Sequence, residues 1–245
     1  MLDALHQSGS SKCLFPRNTA HAFEAVVLNT AGGVTGGDRF SVSALAGTGT
    51  VMTATTQACE RAYKAQPGEI GEIRNQLRIA HGARLNWLPQ ETILFNDCAL
   101  NRRLSVDMAR DATLLMVEPL VFGRAATGET LTRVLFRDRI EIHRDGAPLY
   151  IDAMTLSGDA HAHLAKPFTA NGAGAMASLV YVADDAPRFL TSIRAALPET
   201  AGTSLLQDDV LVLRILAPDS FDLRQSLMPI LKTLNGDDLP RCWMT

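Results

Sequence analysis

The chain lacks any run of basic residues longer than the pair Arg102-Arg103, and this absence bears on its partners. Its 245 residues carry a formal net charge of −3 at pH 7. Proteins that hold nucleic acids or anionic lipids by charge carry a surplus of basic residues, and the sequence shows no such surplus. We therefore expect neither a nucleic-acid partner nor a membrane partner.

Paired cysteine motifs and long apolar segments are also missing. The four cysteines are scattered and form no C-x-x-C, which excludes a zinc knuckle and a dithiol redox site. Isolated thiols of this kind are typical of a reducing compartment. Residues 1–12 have no apolar centre like that of a signal peptide, and no 18-residue apolar span occurs elsewhere. These features predict a cytoplasmic protein.

A glycine-rich stretch, LNTAGGVTGGDRF at residues 28–40, holds four glycines within six residues. Such a stretch needs either positive φ angles or the close approach of a neighbour. It cannot be a phosphate-binding loop, because Asp38 and Arg39 stand where Lys and Ser or Thr are required. Val34 also breaks the G-x-G-x-x-G pattern of dinucleotide-binding folds. The simplest interpretation is a bend between two strands that presents Asp38.

The first 150 residues have the pattern of a β protein. Short runs of Val, Ile, Leu and Thr are broken by Gly, Asp and Pro, and helical periodicity occurs only near residues 60–65. Segments 46–55, 80–89 and 109–118 can be superimposed without gaps, each as a small-residue turn followed by a strand. Repeated units about thirty residues apart predict stacked layers, as in a β-solenoid or a two-sheet sandwich. The superposition places three pairs on one face: Val51 with Thr53, Leu85 with Trp87, and Leu114 with Met116.

Polar residues occur where these strands end, so stacking predicts that they form one column. The column is either a row of solvated turns or the polar lining of a conduit. Its members are Thr55, Thr56, Gln57, Gln90, Glu91, Thr92 and Glu118.

After Tyr150 the pattern becomes mixed. In order, it predicts a turn and strand at 171–182, a helix at 187–197, a buried strand at 210–216, and a helix that Ser220 caps, Pro229 kinks and Gly236 ends. No Pro, Ser or Gly-rich linker precedes this part. We therefore expect one domain over residues 1–245, with a β body at about 7–155 and a β/α part at about 156–245.

Several residues could carry chemistry. Cys59 would be a thiol nucleophile if it began a helix, although no histidine stands in a recognisable partner context. His161 and His163 would share one face of a strand and supply half of a metal site, or would be incidental in an exposed loop. Arg124 and Glu129 are presented by a second glycine-bracketed loop, where the simplest interpretation is that they pair with each other.

Four carboxylates could contact a divalent cation in passing, because their oxygens are hard or borderline ligands. Sparse ligands of this kind suit transfer of an ion better than storage. The four are Asp38, Glu91, Glu118 and Glu129.

Four motifs in this order resemble those of the urease accessory protein family UreD, called UreH in some bacteria. They are LNTAGGVTGGD at 28–38, TTQACERAYK at 55–64, WLPQETILF at 87–95 and FGRAATGE at 122–129, and the closing LPRCW at 239–243 is also similar. The resemblance covers nearly the whole chain. It implies a mostly β fold, a stacked-layer β-helical (solenoid-like) body with two α-helices in the C-terminal half.

The resemblance also implies a function. UreD proteins are maturation factors without enzymatic activity, which bind the urease apoprotein, recruit UreF and through it the GTPase UreG, and assist nickel insertion. It implies that the chain holds no tightly bound cofactor and that nickel passes transiently through a polar internal tunnel. It is also compatible with two copies of the chain forming a homodimer within the accessory complex. By motif matching, the tunnel would be lined by Asp38, Thr55, Thr56, Gln57, Glu91, Glu118 and Glu129.

Two other classes of protein remain as alternatives. One is a cysteine- or carboxylate-based hydrolase that uses Cys59 or the acids Asp38, Glu91 and Glu118, although no nucleophile-base pair is evident. The other is a purely structural β-solenoid, for which deletion would have no nickel phenotype.

Overall fold

The computed structural model describes residues 2–17, 23–124, 127–236 and 238–244. Within these residues the strands are β1 (Ser11–Leu14), β2 (Phe23–Asn29), β3 (Arg39–Ala46), β4 (Val51–Thr56), β5 (Glu60–Ala62), β6 (Gly71–Ile79), β7 (Arg84–Leu88), β8 (Thr92–Leu94), β9 (Ala99–Met108), β10 (Thr113–Phe122), β11 (Val134–Arg144), β12 (Ala147–Gly158), β13 (Ala175–Val182), β14 (Ala201–Gln207) and β15 (Val210–Ala217). The helices are α1 (Ala160–Leu164), α2 (Ala186–Ala196) and α3 (Ser220–Asn235), followed by a short 3₁₀ helix (Arg241–Trp243).

The strands form two sheets. The first has the order β1-β2-β4-β7-β10-β13-β15-β14, with β5 and β8 paired beside it, and the second has the order β12-β11-β9-β6-β3. The chain passes from one sheet to the other and back, so that β2, β4, β7 and β10 are parallel neighbours in the first sheet. Likewise β3, β6, β9 and β11 are parallel neighbours in the second. This arrangement of stacked coils confirms the predicted mostly β, solenoid-like body.

The superposition of the three repeats is correct for the second and third and wrong by one residue for the first. Leu85 lies beside Leu114, as expected, but its other neighbour is Met52 and not Val51. Val51 is 40% exposed. The error arises because Ala46 is the final residue of β3, where it pairs with Ile79. The alanines aligned with it, Ala80 and Ala109, instead begin turns.

The core has two layers. One fills the space between the sheets, with side chains such as Leu77 and Leu104 from the second sheet against Leu85 and Leu114 from the first. The other covers the opposite face of the first sheet, where α2 and α3 pack. All eight residues of β13 are buried because this strand lies between both layers. The first sheet also joins the two parts of the chain, since β10 pairs with β13.

The two C-terminal helices are confirmed. Asp219 rather than Ser220 caps α3, because its carboxylate accepts a hydrogen bond from the Asp222 N–H at 2.9 Å. The helix includes Pro229 and ends at Gly236, whose φ is 64°. The hairpin strand β14 was not expected.

Two local predictions are wrong. Residues 60–65 are not helical, since β5 occupies Glu60–Ala62, and this strand is held by β8. His161 and His163 lie in α1, a helix that was not predicted, and not on a strand or in a loop. Asp159 accepts a hydrogen bond from the Ala162 N–H and caps that helix, so the local capping residue outweighs the weak strand pattern. Within the described residues, we find no helix that combines the length and apolar character needed to cross a membrane.

Candidate functional site

The glycine-rich stretch folds into a bend that packs against β5. Gly32 has a φ of 82°, which favours glycine. Gly33 is needed for a different reason: a Cβ atom there would lie 2.2 Å from Cε2 of Tyr63. Asp38 closes the turn, since its Oδ2 accepts a hydrogen bond from the Thr35 N–H at 2.9 Å. Both expectations for this stretch, positive φ and close approach, are confirmed.

A cavity of about 160 Å³ lies at the ends of the first-sheet strands, beside this bend. Its wall is formed by both sheets and by the connection between β4 and β5. Several wall residues are polar or ionisable: Asn29, Thr56, Gln57, Cys59, Glu60, Asn75, Gln90, Thr92, Arg102 and Glu118.

Glu118 is the most deeply buried acid of the cavity wall. Its Oε1 accepts a hydrogen bond from Nε1 of Trp87 at 2.7 Å, and its Oε2 lies 2.7 Å from Nη1 of Arg102. Arg102 also binds Asp138 through Nε and Nη2, at 2.9 and 2.6 Å, and Thr92 through Nη1. One arginine therefore fixes two acids inside the protein.

The electrostatics of this group follow from burial. Burial raises the pKa of the Glu118 carboxyl, and the Asp138 carboxylate adds to the effect, whereas Arg102 and Trp87 oppose it. Burial alone would lower the pKa of Arg102, but the attraction of Asp138 and Glu118 outweighs it and raises this pKa. The result is an arginine that stays charged beside an acid that is costly to ionise.

Cys59 lies on the cavity wall with its thiol against Glu91. Its Sγ donates a hydrogen bond to Oε2 of Glu91 at 3.2 Å. Burial, followed by the charge of Glu91, raises the pKa of Cys59 to about 12. The residue precedes a strand and not a helix, so the predicted helix-start position is wrong. A thiol held protonated in this way is poorly suited to act as a nucleophile.

Helix α3 supports this corner through Arg224. Its Nη2 donates a hydrogen bond to Oε1 of Gln90 at 2.6 Å, and its Nε lies 3.4 Å from Oε1 of Glu91. The guanidinium also stacks over the ring of Trp243 at 5.2 Å. Nε2 of Gln90 is buried and has no hydrogen-bond partner among the described residues, so the cavity wall offers one unused donor.

Glu60 adds a second acid to the wall. Nδ2 of Asn29 donates to both of its carboxylate oxygens, at 3.3 and 3.1 Å. Burial raises the pKa of Glu60, although the Asn29 hydrogen bond opposes the shift.

The structure brings together only some of the residues predicted to line a tunnel. Thr56, Gln57 and Glu118 line the cavity, and Glu91 lies directly behind Cys59. Thr55 is buried outside the cavity wall, where its hydroxyl donates to the Leu88 carbonyl at 2.6 Å.

Asp38 and Glu129 do not line the cavity either. Glu129 forms two hydrogen bonds with Arg124, both at 3.0 Å, which confirms the simple ion pair as one interpretation of that loop. Arg124 also lies over the ring of Phe95, 4.4 Å from its centroid. Ala125 and Ala126 of this motif lie outside the described residues.

A closed metal site is not formed. Among residues 2–17, 23–124, 127–236 and 238–244, no three His, Cys, Asp or Glu side chains cluster closely enough to hold an ion. The cavity wall carries one thiol and two carboxylates, together with amides, hydroxyls and the guanidinium groups of Arg61 and Arg102. This donor set can contact a passing divalent cation and lacks the ligands that would retain it.

Sequence reasoning missed Arg102 and Asp138, although a signal was present. Leu100, Arg102 and Leu104 share one face of β9 by the two-residue period, so the arginine had to be buried with the leucines. A buried arginine requires acid partners. The partner Asp138 could not be assigned, because the register between β9 and β11 is not readable from either strand alone.

Comparisons with known proteins agree with the motifs. A family model described as UreD urease accessory protein matches residues 1–244. The urease accessory protein UreD of Ruegeria pomeroyi is 62% identical over 242 residues, which cover 99% of this chain and 94% of that protein. The corresponding proteins of Roseobacter denitrificans and Rhizobium etli are 51% and 42% identical, over 99% and 98% of this chain and 88% of each relative. This chain belongs to the UreD family of urease accessory proteins.

Proposed function

We propose that this chain is a metallochaperone scaffold in urease maturation. It binds the urease apoprotein and UreF, recruits the GTPase UreG through UreF, and assists delivery of nickel to the urease active site in the cytoplasm. Membership of the UreD family supports the role in maturation. The cavity, with its sparse thiol and carboxylate groups, is the structural observation that supports passage of the ion.

In this proposal nickel is cargo and follows the polar wall. Glu118 and Glu91 are its transient carboxylate contacts, and Thr56 and Gln57 line the path. Asp38, Glu129 and Thr55 would contribute outside the cavity wall.

The hydrolase alternative receives less support from the geometry. The Cys59 thiol donates a hydrogen bond to the Glu91 carboxylate, whose charge helps to raise the pKa of the thiol, and Glu118 pairs with Arg102. Neither arrangement supplies a base that could activate a nucleophile.

Co-expression with a urease operon that lacks its own UreD gene tests the proposal. The measurements are urease activity, nickel per active site, and co-purification with the apoprotein and with UreF. We expect restored activity and a bound complex. A soluble chain that neither restores activity nor binds the apoprotein or UreF would overturn the proposal.

A matched pair of variants tests the route. Glu118→Gln removes the charge inside the cavity and keeps the side-chain size, whereas Glu199→Gln makes the same change at an exposed position outside the cavity and outside the second sheet. We expect Glu118→Gln to lower nickel per active site several-fold while the complex still forms. Glu199→Gln should load as the wild type does. Equal loading in both variants would contradict the cavity route.

A further inference from the structure

The outer face of the second sheet carries an unusual row of arginines. Side chains alternate between the two faces of a strand, so every second residue of β3, β6, β9 and β11 points away from the core. Twelve of these outward positions fall into three adjacent rows by the strand register, and we call these twelve the arginine face. The rows are Arg39, Glu72, Asn101 and Arg137; Ser41, Arg74, Arg103 and Arg139; and Ser43, Gln76, Ser105 and Glu141.

The charge of the arginine face is opposite in sign to that of the chain. Five arginines and two glutamates leave three positive charges on this face, whereas the whole chain has a formal net charge of −3. No run of basic residues reveals the face in the sequence, because its arginines come from four separate strands. Long-range strand pairing assembles it.

The middle row places like charges side by side. Arg74, Arg103 and Arg139 occupy the same register on three adjacent strands, which lie about 4.8 Å apart in a sheet. Like charges directly opposite each other destabilise a sheet. The side chains are 67%, 57% and 49% exposed, so burial in this chain does not account for the arrangement.

Internal acids neutralise the face only in part. Glu141 pairs with both Arg103 and Arg139, and Glu72 pairs with Arg74 at 2.9 Å. Arg39 and Arg137 form no ion pair within the part of the chain that the structure describes. Two guanidinium groups, at the two ends of the first row, are thus available to acids from outside.

The face is also concave. A depression of about 430 Å³ lies over β6 and β9, and its wall includes Arg74, Arg103 and Asn101. The Oδ1 atom of Asn101 is buried and accepts no hydrogen bond among the described residues. The exposed guanidinium groups of Arg74 and Arg103 make this depression a place where carboxylates of a partner can bind.

We propose that the arginine face is a docking surface for a protein partner with a carboxylate-rich surface. The inference rests on the proposed function, in which the chain works inside a multi-protein complex. Guanidinium groups bind carboxylates in bidentate fashion, and charge complementarity would offset the repulsion in the arginine row. The chain as a whole carries a net charge of −3, which opposes a long polyanion such as a nucleic-acid backbone, and the proposed function supplies protein partners, so a protein is favoured.

The double variant Arg39→Glu and Arg137→Glu tests the surface without breaking an ion pair of the described residues. The matched control is Arg110→Glu with Arg188→Glu, which makes the same change in charge at exposed positions outside the face. The probes are purified urease apoprotein and, separately, purified UreF. Binding of wild-type chain and both variants is measured at about 50 mM and about 300 mM salt.

We expect the face variant to lose about tenfold in affinity for one of the two probes at low salt, and the control to bind as the wild type does. Loss of most of the salt dependence in the face variant would support the docking surface further. Unchanged affinity of the face variant for both probes would overturn this inference and leave the proposed function standing. If the wild type binds neither probe, the proposed function fails and the inference fails with it. Preferential binding of a labelled DNA or RNA duplex through the same arginines would also overturn it.

Discussion

Two neighbouring arginines on β9 lie in opposite environments. The side chain of Arg102 points between the sheets and is 5% exposed, whereas that of Arg103 points outward and is 57% exposed. Both bind carboxylates: Arg102 pairs with Asp138 on the neighbouring strand β11 and with Glu118 on β10 of the opposite sheet, and Arg103 pairs with Glu141 on β11. The two faces of β9 therefore lie in different environments. Arg102 on its inward face contributes to the cavity wall, and Arg103 on its outward face contributes to a charged surface.

The energetics of the two sites should differ accordingly. An ion pair in water contributes little, because solvent screens the attraction. A buried pair is costly to break, since the remaining charge is left without either water or a partner.

Removal of the inner arginine should have the largest effect. Arg102→Met leaves Glu118 and Asp138 uncompensated, and we expect a loss of about 3–5 kcal/mol in the free energy of unfolding. The matched variant Arg103→Met should lose less than about 1 kcal/mol. Urea denaturation of both variants checks the difference. A triple variant with Glu118→Gln and Asp138→Asn added should recover part of the loss, and equal losses in the two single variants would contradict the account.

Loss of the hydrogen bond between Trp87 and Glu118 should have an intermediate effect on stability. Trp87→Phe retains an aromatic ring and removes the Nε1–H that donates to Glu118 at 2.7 Å. An unsatisfied buried acceptor costs about 1–3 kcal/mol, and we expect a destabilisation in that range. Urea denaturation followed by circular dichroism measures it. A variant as stable as the wild type would show that water replaces the indole.

Removal of the Glu141 carboxylate should have the smallest effect on stability, and this effect should depend on pH. Hydrogen bonds from Arg139, and then from Arg103, hold the pKa of Glu141 below its ordinary value. The folded protein therefore gains stability from the ionised acid above the unfolded pKa of about 4.3, and this gain is lost as pH falls through the lower folded pKa. We expect Glu141→Gln to cost on the order of 1 kcal/mol at pH 7.

Urea denaturation from pH 7 down to about pH 3.5 follows this difference. The gap between wild type and Glu141→Gln should narrow as the pH falls below about 4.3. A gap that widens in acid would show that the sign of the pKa shift is wrong.

The fold could be predicted from the sequence to a useful depth. Alternation of apolar residues and repeated turns indicated stacked strands, and the apolar stripe of residues 220–236 indicated a helix. The register could not be predicted in full, because Ala46 ends a strand while similar alanines begin turns. Helix α1 was missed because its sequence has little periodicity and a single capping carboxylate, that of Asp159, favours the helix there.

The site was predictable in part for a physical reason. Thr56 and Gln57 belong to the cavity because strand ends in a stack share one edge, which the repeat already implied. The expectation that Glu118 ends its strand is wrong: it lies inside β10, between the part that pairs with β7 and the part that pairs with β8. Arg102 and Asp138 were missed, since their contact depends on pairing of strands 36 residues apart. The arginine face was missed for the same reason, because no single strand contributes more than two of its arginines.

The central claim is that nickel reaches urease through the cavity, and a variant that fills the cavity tests it most directly. Ala58 lines the cavity, so Ala58→Trp should obstruct it, and Ala195→Trp on an exposed position of α2 is the matched control. Nickel per active site is measured in urease co-purified with each variant. The account predicts a bound complex with nickel-poor urease for Ala58→Trp and normal loading for the control. Full loading by a folded Ala58→Trp variant would contradict it.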